Sequence, residues 1–272
     1  MHLPLSRAVV ERLDVLPEIG STNVELAARA ASGDARHFDV VMTTSQTAGK
    51  GRLGRTWVAP PGKTIAVSVF LALPARLDGE SAESLTERVG WLPLLAGLAM
   101  TRAVASLVRG HAVTLKWPND VHVDGLKVAG LLAELVPGAG VVMGSGLNLT
   151  MTAEELPTST STSLSLVGVA EEGIVDAALA AYLTELARLY GEFANTDALA
   201  NTDALANTDA LREAVTAACS TIGQPVRVEL PGGNELYATA ESIDEHGRLV
   251  VRERGAGLRA VAAGDVTHVK YA

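Results

Sequence analysis

A glycine-rich segment with three basic residues, 49–57, limits the folds that are open to this chain. It contains Gly49-x-Gly51-x-x-Gly54, the spacing of the fingerprint found in dinucleotide-binding folds. That fingerprint must open a helix after a strand, and Pro60 and Pro61 prevent a helix from continuing here. A phosphate-binding loop of the G-x-x-x-x-G-K-[ST] type is absent from the chain. The dinucleotide-binding fold is therefore excluded.

The same segment has the chemistry of an anion site. Its glycines allow the backbone to approach a ligand closely, and Lys50, Arg52 and Arg55 supply positive charge in a chain with 31 acidic and 22 basic residues. Trp57 ends the segment and could lie against a flat ring or an alkyl chain. We therefore predict a site for a small anion with an aromatic or apolar part. The alternative is a surface hairpin whose charges serve solubility.

Composition excludes several classes of protein. The 272 residues suffice for one large and one small domain. No apolar run of about eighteen residues and no signal peptide is visible, so no membrane span is expected. The single Cys219 suits a reducing cytoplasm, and the net charge of −9 argues against nucleic-acid binding. The six histidines lack ligand spacing, so no metal site is predicted.

The first candidate ligand contacts are the polar residues Ser21, Thr22 and Asn23. They follow a predicted strand over 13–19, and Thr22-x-x-Glu25 has the spacing of a capping box ahead of an alanine-rich helix. A helix N-terminus with free hydroxyls can also bind a polar ligand. The two interpretations are compatible.

Hydrophobic periodicity predicts the remaining elements of the larger domain. Alternation and β-branched residues indicate strands, and apolar residues with helical spacing indicate two long helices. Gly130, inside one strand, indicates a close approach of a ligand to the backbone. The predicted strands are 38–44, 64–73, 113–116, 121–123, 127–136 and 141–146, and the predicted helices lie between residues 83 and 109 and over 174–193.

Lys116 closes one of these apolar strands, and Pro118 prevents a helix after it. A lysine at the inner end of a strand is costly to bury without an anionic partner. That partner is either a bound ligand or, in a structural ion pair, Asp120 or Glu134.

The C-terminal part of the chain contains a short internal repeat and then a series of short predicted strands. Ala-Asn-Thr-Asp-Ala-Leu occurs three times in succession over 194–211. Leucines six residues apart lie about 240° from each other on a helix, so they cannot form one apolar stripe, and we expect a duplicated helix start without function. From Ile222 on, short strands between glycine turns indicate a small barrel. These strands are 225–230, 235–243, 249–253, 258–262 and 266–269.

Five groups of residues resemble motifs of the biotin–protein ligase family, in the family's order and over nearly the whole chain. One departure is Lys50, where arginine is usual; lysine keeps the charge but lacks the planar fork. The matching groups are Ser21-Thr22-Asn23, Gln46-x-Ala48-Gly49-x-Gly51-Arg52-x-Gly54-Arg55-x-Trp57, Lys116-Trp117-Pro118-Asn119-Asp120, Lys127-x-Ala129-Gly130-x-Leu132-x-Glu134 and Gly144-x-Gly146-x-Asn148.

The resemblance implies an α+β fold. Its larger part would be a mixed sheet with flanking helices, similar to the catalytic domain of class II aminoacyl-tRNA synthetases. A small SH3-like β-barrel would follow. The implied domains are a catalytic domain over 1–220, which includes the repeat insertion 194–211, and the barrel over 221–272.

The resemblance also implies ATP-dependent attachment of biotin to a lysine of a carboxylase's biotin-carrier domain through biotinyl-5'-AMP, with Mg²⁺ arriving on ATP. No protein nucleophile is needed, so catalysis would rest on positioning and electrostatics. Lys116 and Arg52 are the expected catalytic residues. The expected biotin contacts are Ser21, Thr22, Asn23, Gln46, Lys50, Gly51, Arg52 and Lys116, and the expected ATP or adenylate contacts are Arg52, Arg55, Trp57, Asn119, Lys127 and Asn148.

Three alternatives compete with this function. A lipoate–protein ligase shares the fold, but lipoate lacks the ureido group that suits the polar residues near Ser21 and Gln46. A biotin-sensing repressor needs a basic helix-turn-helix, for which this acidic chain has no room before Ser21. A binding module without turnover would not need Lys116 and Arg52. The acceptor and the oligomeric state stay open, and a homodimer is one option.

Overall fold

Two β-sheets, one short hairpin and five α-helices make up the described part of the chain. The computed structural model describes residues 1–73, 82–198, 203–230, 234–253, 255–262 and 265–268. The helices are α1 (Pro4–Arg7), α2 (Thr22–Ser32), α3 (Ala82–Leu107), α4 (Ile174–Ala198) and α5 (Asp203–Ala218). The strands are β1 (Leu13–Leu16), β2 (Val40–Thr43), β3 (Gly49–Lys50), β4 (Thr56–Trp57), β5 (Thr64–Ala72), β6 (Val113–Lys116), β7 (Asp120–Val123), β8 (Leu126–Val136), β9 (Gly140–Asn148), β10 (Pro225–Glu229), β11 (Glu235–Ile243), β12 (Leu249–Glu253), β13 (Gly257–Val261) and β14 (Asp265–His268).

The larger sheet has seven strands in the order β1-β2-β5-β9-β8-β7-β6. It is mixed, because β1 pairs with β2 in parallel while the other neighbours are antiparallel. The central strand β9 is buried along its whole length, and β5 is buried except at its last residue. A strand buried on both faces needs a covering layer on each side. The expected α+β fold with a mixed sheet and flanking helices is confirmed.

Different helices cover the two faces of this sheet. Helix α3 packs on one face, with α4 against its outer side. Helix α2 packs on the other face over a small apolar cluster that includes Leu26, Phe70 and Val142. Because α2 is short, it covers only part of that face. The uncovered part, beside the N-terminus of α2, is where the candidate site lies.

The stretch Val89–Leu107 of α3 is long and apolar enough, by length and composition alone, to cross a membrane. In the fold, however, 67% of this stretch is buried. It packs between the sheet and helices α4 and α5. The apolar sequence is therefore explained by its place in the core.

The C-terminal sheet is antiparallel, with the strand order β13-β12-β11-β10-β14. Two of its strands, β11 and β12, have the predicted bounds; β10 ends one residue earlier than predicted, and β13 and β14 are each shifted by one residue toward the N-terminus. The turn between β11 and β12 contacts helix α3, where the Trp91 indole donates a hydrogen bond to the Glu245 carbonyl at 2.9 Å. The apolar side chains of both sheets form one continuous core.

The start of α2 differs from the predicted capping box. The N-cap is Ser21, whose hydroxyl accepts a hydrogen bond from the Val24 amide at 3.5 Å. Thr22 already lies inside the helix, and its hydroxyl is 3.3 Å from the Gln46 side-chain oxygen. Glu25 instead pairs with Arg29. The predicted box at Thr22 and Glu25 is therefore wrong by one residue, because Thr22 is held from outside the helix.

The repeat over 194–211 spans the end of α4 and the beginning of α5. Helix α5 is described from Asp203 in the second copy, so the predicted helix start at the Asn-Thr of that copy lies outside the described residues. Leu211 of the third copy is 5% exposed and belongs to the core. The other two repeat leucines lie outside the residues whose side chains are described. The repeat therefore contributes at least one leucine to the core.

Candidate active site

A cavity of about 150 Å³ opens on the sheet face beside α2. Its walls are the N-terminus of α2, the segment 49–57 and the facing strands β7, β8 and β9. The structure brings most of the predicted site residues to it. Those that line it are Ser21, Thr22, Asn23, Gln46, Lys50, Gly51, Arg52, Arg55, Trp57, Asn119 and Lys127.

Part of the cavity lining carries hydrogen-bonding groups without charge, Thr22, Asn23 and Gln46. Together with Ser68, which contacts Thr22 and Asn23 but is not in the lining, we call them the neutral end. The Thr22 amide donates to the Gln46 side-chain oxygen at 3.0 Å. The Ser68 hydroxyl lies 2.8 Å from the Thr22 hydroxyl and 2.6 Å from the Asn23 side-chain oxygen. All but Gln46 are at least nine-tenths buried. These mutual hydrogen bonds fix the side chains before any ligand arrives.

Two glycines of β9 leave room for the neutral end and for Trp57. A Cβ atom on Gly144 would collide with the Asn23 amide, and one on Gly146 would lie 2.6 Å from Cε2 of the Trp57 ring. Both glycines therefore permit side chains to lie directly on the sheet backbone. Gly130 of β8 has a similar role, since a Cβ there would lie 3.3 Å from the Trp57 ring.

The segment 49–57, which we call the cationic loop, is a hairpin that also lines the cavity. Strands β3 and β4 pair through Gly49 with Trp57 and Lys50 with Thr56. A 3₁₀ turn over Arg52–Gly54 connects them, and Gly54 has a φ of 73°, which favours glycine. The segment is therefore a hairpin, and because it also lines the cavity, a role in ligand binding is compatible with that structure.

Lys127 completes the positive charge of the cavity. Its ammonium lies 2.7 Å from Oδ1 of Asp120 and 5.9 Å from the centre of the Trp57 ring. Both partners line the same cavity. The register explains the pair: Asp120 lies opposite Gly130, three residues after Lys127, so the lysine can reach across the glycine.

Lys116, an expected catalytic residue and biotin contact, is not among the residues that line the cavity. It lies on the edge strand β6, two strands beyond β8. Burial and then the charge of Lys116 lower the pKa of His122 to about 4, and the same two causes lower the pKa of His268. Asp120, one of its two predicted ion-pair partners, pairs with Lys127 instead.

The two asparagines of the motifs are held by backbone carbonyls. The Asn119 side chain donates to the Leu131 carbonyl at 2.6 Å, and the Leu131 amide donates to the Asn119 carbonyl at 2.9 Å. The Asn148 amide donates to the Thr162 carbonyl at 2.9 Å. Its side-chain oxygen is buried without a hydrogen-bond partner. Asn148 lies at the end of β9 and not in the cavity lining.

Two site residues were not expected from the sequence. Ser68 is a lone hydroxyl within an apolar strand, and this was the signal that could have revealed it, because a buried hydroxyl needs a partner. Asp120 was recognised only as a partner for Lys116. Choosing between Lys116 and Lys127 requires the sheet register, which the sequence pattern does not determine.

Known proteins resemble the chain along most of its length. Residues 16–148 match the biotin/lipoate A/B protein ligase family, and residues 221–269 match the biotin protein ligase C-terminal domain. A biotin--[acetyl-CoA-carboxylase] ligase of Mycobacterium tuberculosis is 38% identical over 95% of this chain and 90% of its own. One of Paracoccus denitrificans is 31% identical over 93% of this chain and 98% of its own.

Solved structures agree at the level of the fold. The biotin protein ligase of Aquifex aeolicus in complex with biotin and ATP superposes with a TM-score of 0.72, covering 96% of this chain and 100% of that one, at 21% identity. The two sheets of the described structure correspond to the two family matches, one in each part of the chain. The chain is thus a ligase and belongs to the biotin protein ligase family.

Proposed function

We propose that this chain attaches biotin to one lysine of a carboxylase's biotin-carrier domain through a biotinyl-5'-AMP intermediate. One observation carries the proposal: a single cavity joins a fixed, neutral hydrogen-bonding end to four cations. The four cations are Lys50, Arg52, Arg55 and Lys127. The relatives named biotin--[acetyl-CoA-carboxylase] ligase support a carboxylase as the acceptor.

The neutral end suits the ureido ring of biotin. That ring offers two N–H donors and one carbonyl acceptor, and the hydroxyls of Ser21 and Thr22 and the Gln46 amide can serve both kinds of group. These side chains carry no charge, so a neutral ring can bind against them without burying an unpaired charge. Biotin's valeryl chain then runs past the glycines of β8 and β9 under Trp57, and its carboxylate reaches Lys127.

The first step joins two anions, and the cations make their approach favourable. A carboxylate oxygen of biotin attacks the α-phosphorus of ATP, a P–O bond forms, and the bond to the leaving pyrophosphate breaks. Lys127 and Arg52 neutralise the charge that collects on the phosphoryl oxygens. Lys127 thereby takes the catalytic role first expected of Lys116, since it lies in the cavity beside the cationic loop.

In the second step the acceptor's lysine amine attacks the carbonyl carbon of the adenylate. An N–C bond forms, the C–O bond to the phosphate breaks, AMP leaves with the electron pair, and the amine nitrogen releases one proton to water. The cations that stabilised the first transition state also stabilise the leaving phosphate. Catalysis in both steps rests on positioning and electrostatics, without a covalent intermediate on the protein.

Two further groups complete the ATP site. The Asn148 side-chain oxygen, buried without a partner, is available to the exocyclic amine of adenine. Mg²⁺ enters with ATP, and among the described residues no group of three His, Cys, Asp or Glu side chains could hold a metal. Phosphate and water oxygens would then supply most of its ligands, with the Asp120 carboxylate nearby in the cavity lining.

The direct test combines the purified protein, ATP, Mg²⁺, biotin and a biotin-carrier domain. A mass increase by one biotinyl group on a single lysine of the carrier is expected. The same mixture with lipoic acid in place of biotin tests the other branch of the matched family. Transfer of lipoate without transfer of biotin would overturn the proposal.

A further inference from the structure

Six consecutive serine and threonine residues, 158–163, follow strand β9 in the chain, and we call them the Ser/Thr segment. A polar run of this composition is typical of a solvated loop. Residues 158–160 are exposed, as such a loop predicts. Ser161, Thr162 and Ser163, however, are at least nine-tenths buried. The buried half of the segment is explained by what it contacts.

The Ser/Thr segment holds the backbone of Lys127. The Lys127 amide donates to the Thr160 carbonyl, and the Thr162 amide donates to the Lys127 carbonyl, both at 2.8 Å. These two hydrogen bonds form a short parallel bridge between Lys127 and Ser161. The amide and the carbonyl of one strand residue point to the same side. Both backbone groups of Lys127 therefore face the segment, and neither faces strand β7.

The regular sheet gives Lys127 little other support. Pairing between β8 and β9 begins at Ala129, two residues further along the chain. On the other side, the register between β7 and β8 shifts between Val121 and His122, and His122 lies opposite Lys127. A shift of this kind disrupts the ladder locally. The Ser/Thr segment therefore takes the place beside Lys127 that a residue of β9 would otherwise have.

The segment is itself fixed to the chain that leaves β9. The Ser163 hydroxyl donates to the Met151 carbonyl at 2.7 Å, and this serine is fully buried. Two residues later, the Ser165 amide donates to the Leu149 carbonyl at 2.9 Å. A segment that is anchored in this way can impose a fixed position on the residue it pairs with.

We propose that the Ser/Thr segment positions the Lys127 ammonium for adenylate formation, and that Thr162 is a positioning residue that acts through its amide. This inference rests on the proposed function, in which Lys127 neutralises the phosphoryl oxygens. The ammonium sits on a flexible four-carbon stem, and its contact with Asp120 orients only the far end of that stem. The segment fixes the other end. A misplacement of about 1 Å can cost about 10²-fold in rate.

The alternative is that the segment only closes the loop after β9. In that case its loss would lower the stability of the fold and would act on the rate independently of Lys127. Positioning has a different signature, because its effect depends on the presence of the ammonium. The two roles are therefore separated by measuring the same change with and without Lys127.

The test removes one hydrogen bond and no side-chain atom. Thr162 is replaced by its α-hydroxy acid, so that an ester oxygen stands where the N–H donated to the Lys127 carbonyl. The rate of biotinyl-AMP formation at saturating biotin and ATP should fall roughly 3- to 10-fold, the scale of one neutral hydrogen bond. Both KM values should stay unchanged. In a Lys127→Met background the same ester should leave the rate unaffected, because the positioned group is gone.

The same replacement at Ser165 is the matched control. It removes the hydrogen bond to the Leu149 carbonyl in the same part of the chain and does not touch Lys127. The rate should be unchanged. A second ester, at position 127 with the lysine side chain kept, removes the reciprocal donor to Thr160 and should reproduce the loss. This ester decides the question where the Thr162 ester does not fold.

An unchanged rate in the esters at 162 and 127 would overturn the inference. So would an equal loss from the Thr162 ester with and without Lys127, or a loss of the same size from the Ser165 ester. Failure of the unmodified protein to form biotinyl-AMP would instead overturn the proposed function.

Discussion

The neutral end and the cationic loop face the same cavity but are held in place very differently. Thr22, Asn23 and Ser68 are at least nine-tenths buried and bonded to one another on regular elements, α2 and β5. The cationic loop is a hairpin of two paired positions around a 3₁₀ turn, and Lys50 and Arg55 are exposed to solvent. Its root is fixed, since the Ala48 amide donates to the Gly20 carbonyl at 2.7 Å.

The difference follows from the charge of the groups. Neutral groups can be buried and paired with one another before a ligand binds. Three cations on one short hairpin repel one another, and a bound anion reduces that repulsion. One end of the site is therefore built by folding, and the other is completed by the substrate. On this account the neutral end controls the affinity for biotin, and the cations control the rate of chemistry.

The largest effect is expected from removing Lys127. Lys127→Met should slow biotinyl-AMP formation by about 10²–10³-fold, because a preorganised charge is lost where negative charge develops. Lys127→Arg should restore little, since its planar fork does not replace a point charge. Lys116→Met, the matched control on the edge strand, should have a much smaller effect. Single-turnover measurement of adenylate formation checks all three, and equal losses at Lys116 and Lys127 would contradict the assignment.

These two lysines show what the sequence could and could not predict. The strands came from hydrophobic periodicity, and β11 and β12 were placed to the residue. The cationic loop could be identified because three cations among glycines are unusual in an acidic chain. The polar residues at 21–23 could be identified because hydroxyls at a helix N-terminus can bind a polar ligand. Which of the two lysines lies beside the cationic loop depends on the pairing between β7 and β8 around the turn at Asp124 and Gly125. Such pairing is a long-range property.

A smaller effect is expected at the neutral end. Ser68→Ala removes a hydroxyl that contacts Thr22 and Asn23 and leaves their polar atoms with fewer partners. The KM for biotin should rise roughly 5-fold, the scale of one hydrogen bond, while the rate at saturating biotin stays nearly unchanged. Steady-state kinetics with biotin varied would show this. A fall in the rate at saturating biotin with no change in the KM for biotin would contradict the claim that the neutral end controls affinity and the cations control the rate.

A third variant, at Asp176, is expected to change the stability of the fold without affecting either end of the site. The Asp176 carboxylate is buried, which favours its neutral form. Hydrogen bonds from the Ser6 hydroxyl and from the amides of Ser6 and Leu5 outweigh this and lower its pKa below the usual 3.8. Its contribution is present above that value and is lost as the pH falls through the lowered pKa. Asp176→Asn should cost roughly 1.5–3 kcal/mol at pH 7 and weaken the acid dependence of unfolding, with both KM values unchanged.

Urea unfolding at pH 7 and at pH 3 measures this directly. The difference in stability between Asp176→Asn and the unmodified protein should shrink at pH 3. An unchanged difference would show that the carboxylate's charge is not what holds α1 on α4.

The smallest effect is expected from the repeat. Deleting 194–205 removes two of three identical copies, so Phe193 is again followed by Ala-Asn-Thr-Asp-Ala-Leu and Leu211 stays available to the core. Helices α4 and α5 pack against each other, and short connections suffice for such pairs. Ligation should be unchanged. A large loss of turnover in a folded deletion variant would show that the length of this segment matters to the site.

The contrast between the two ends is tested most directly by hydrogen exchange with and without biotin and ATP. Amides of the cationic loop, 49–57, should exchange fast in the free protein and gain strong protection when both substrates are present. Amides of 21–24 and 66–69 at the neutral end should be protected in both states. Equal protection of the loop in both states would contradict the account, because its cations would then be held in place without the anion.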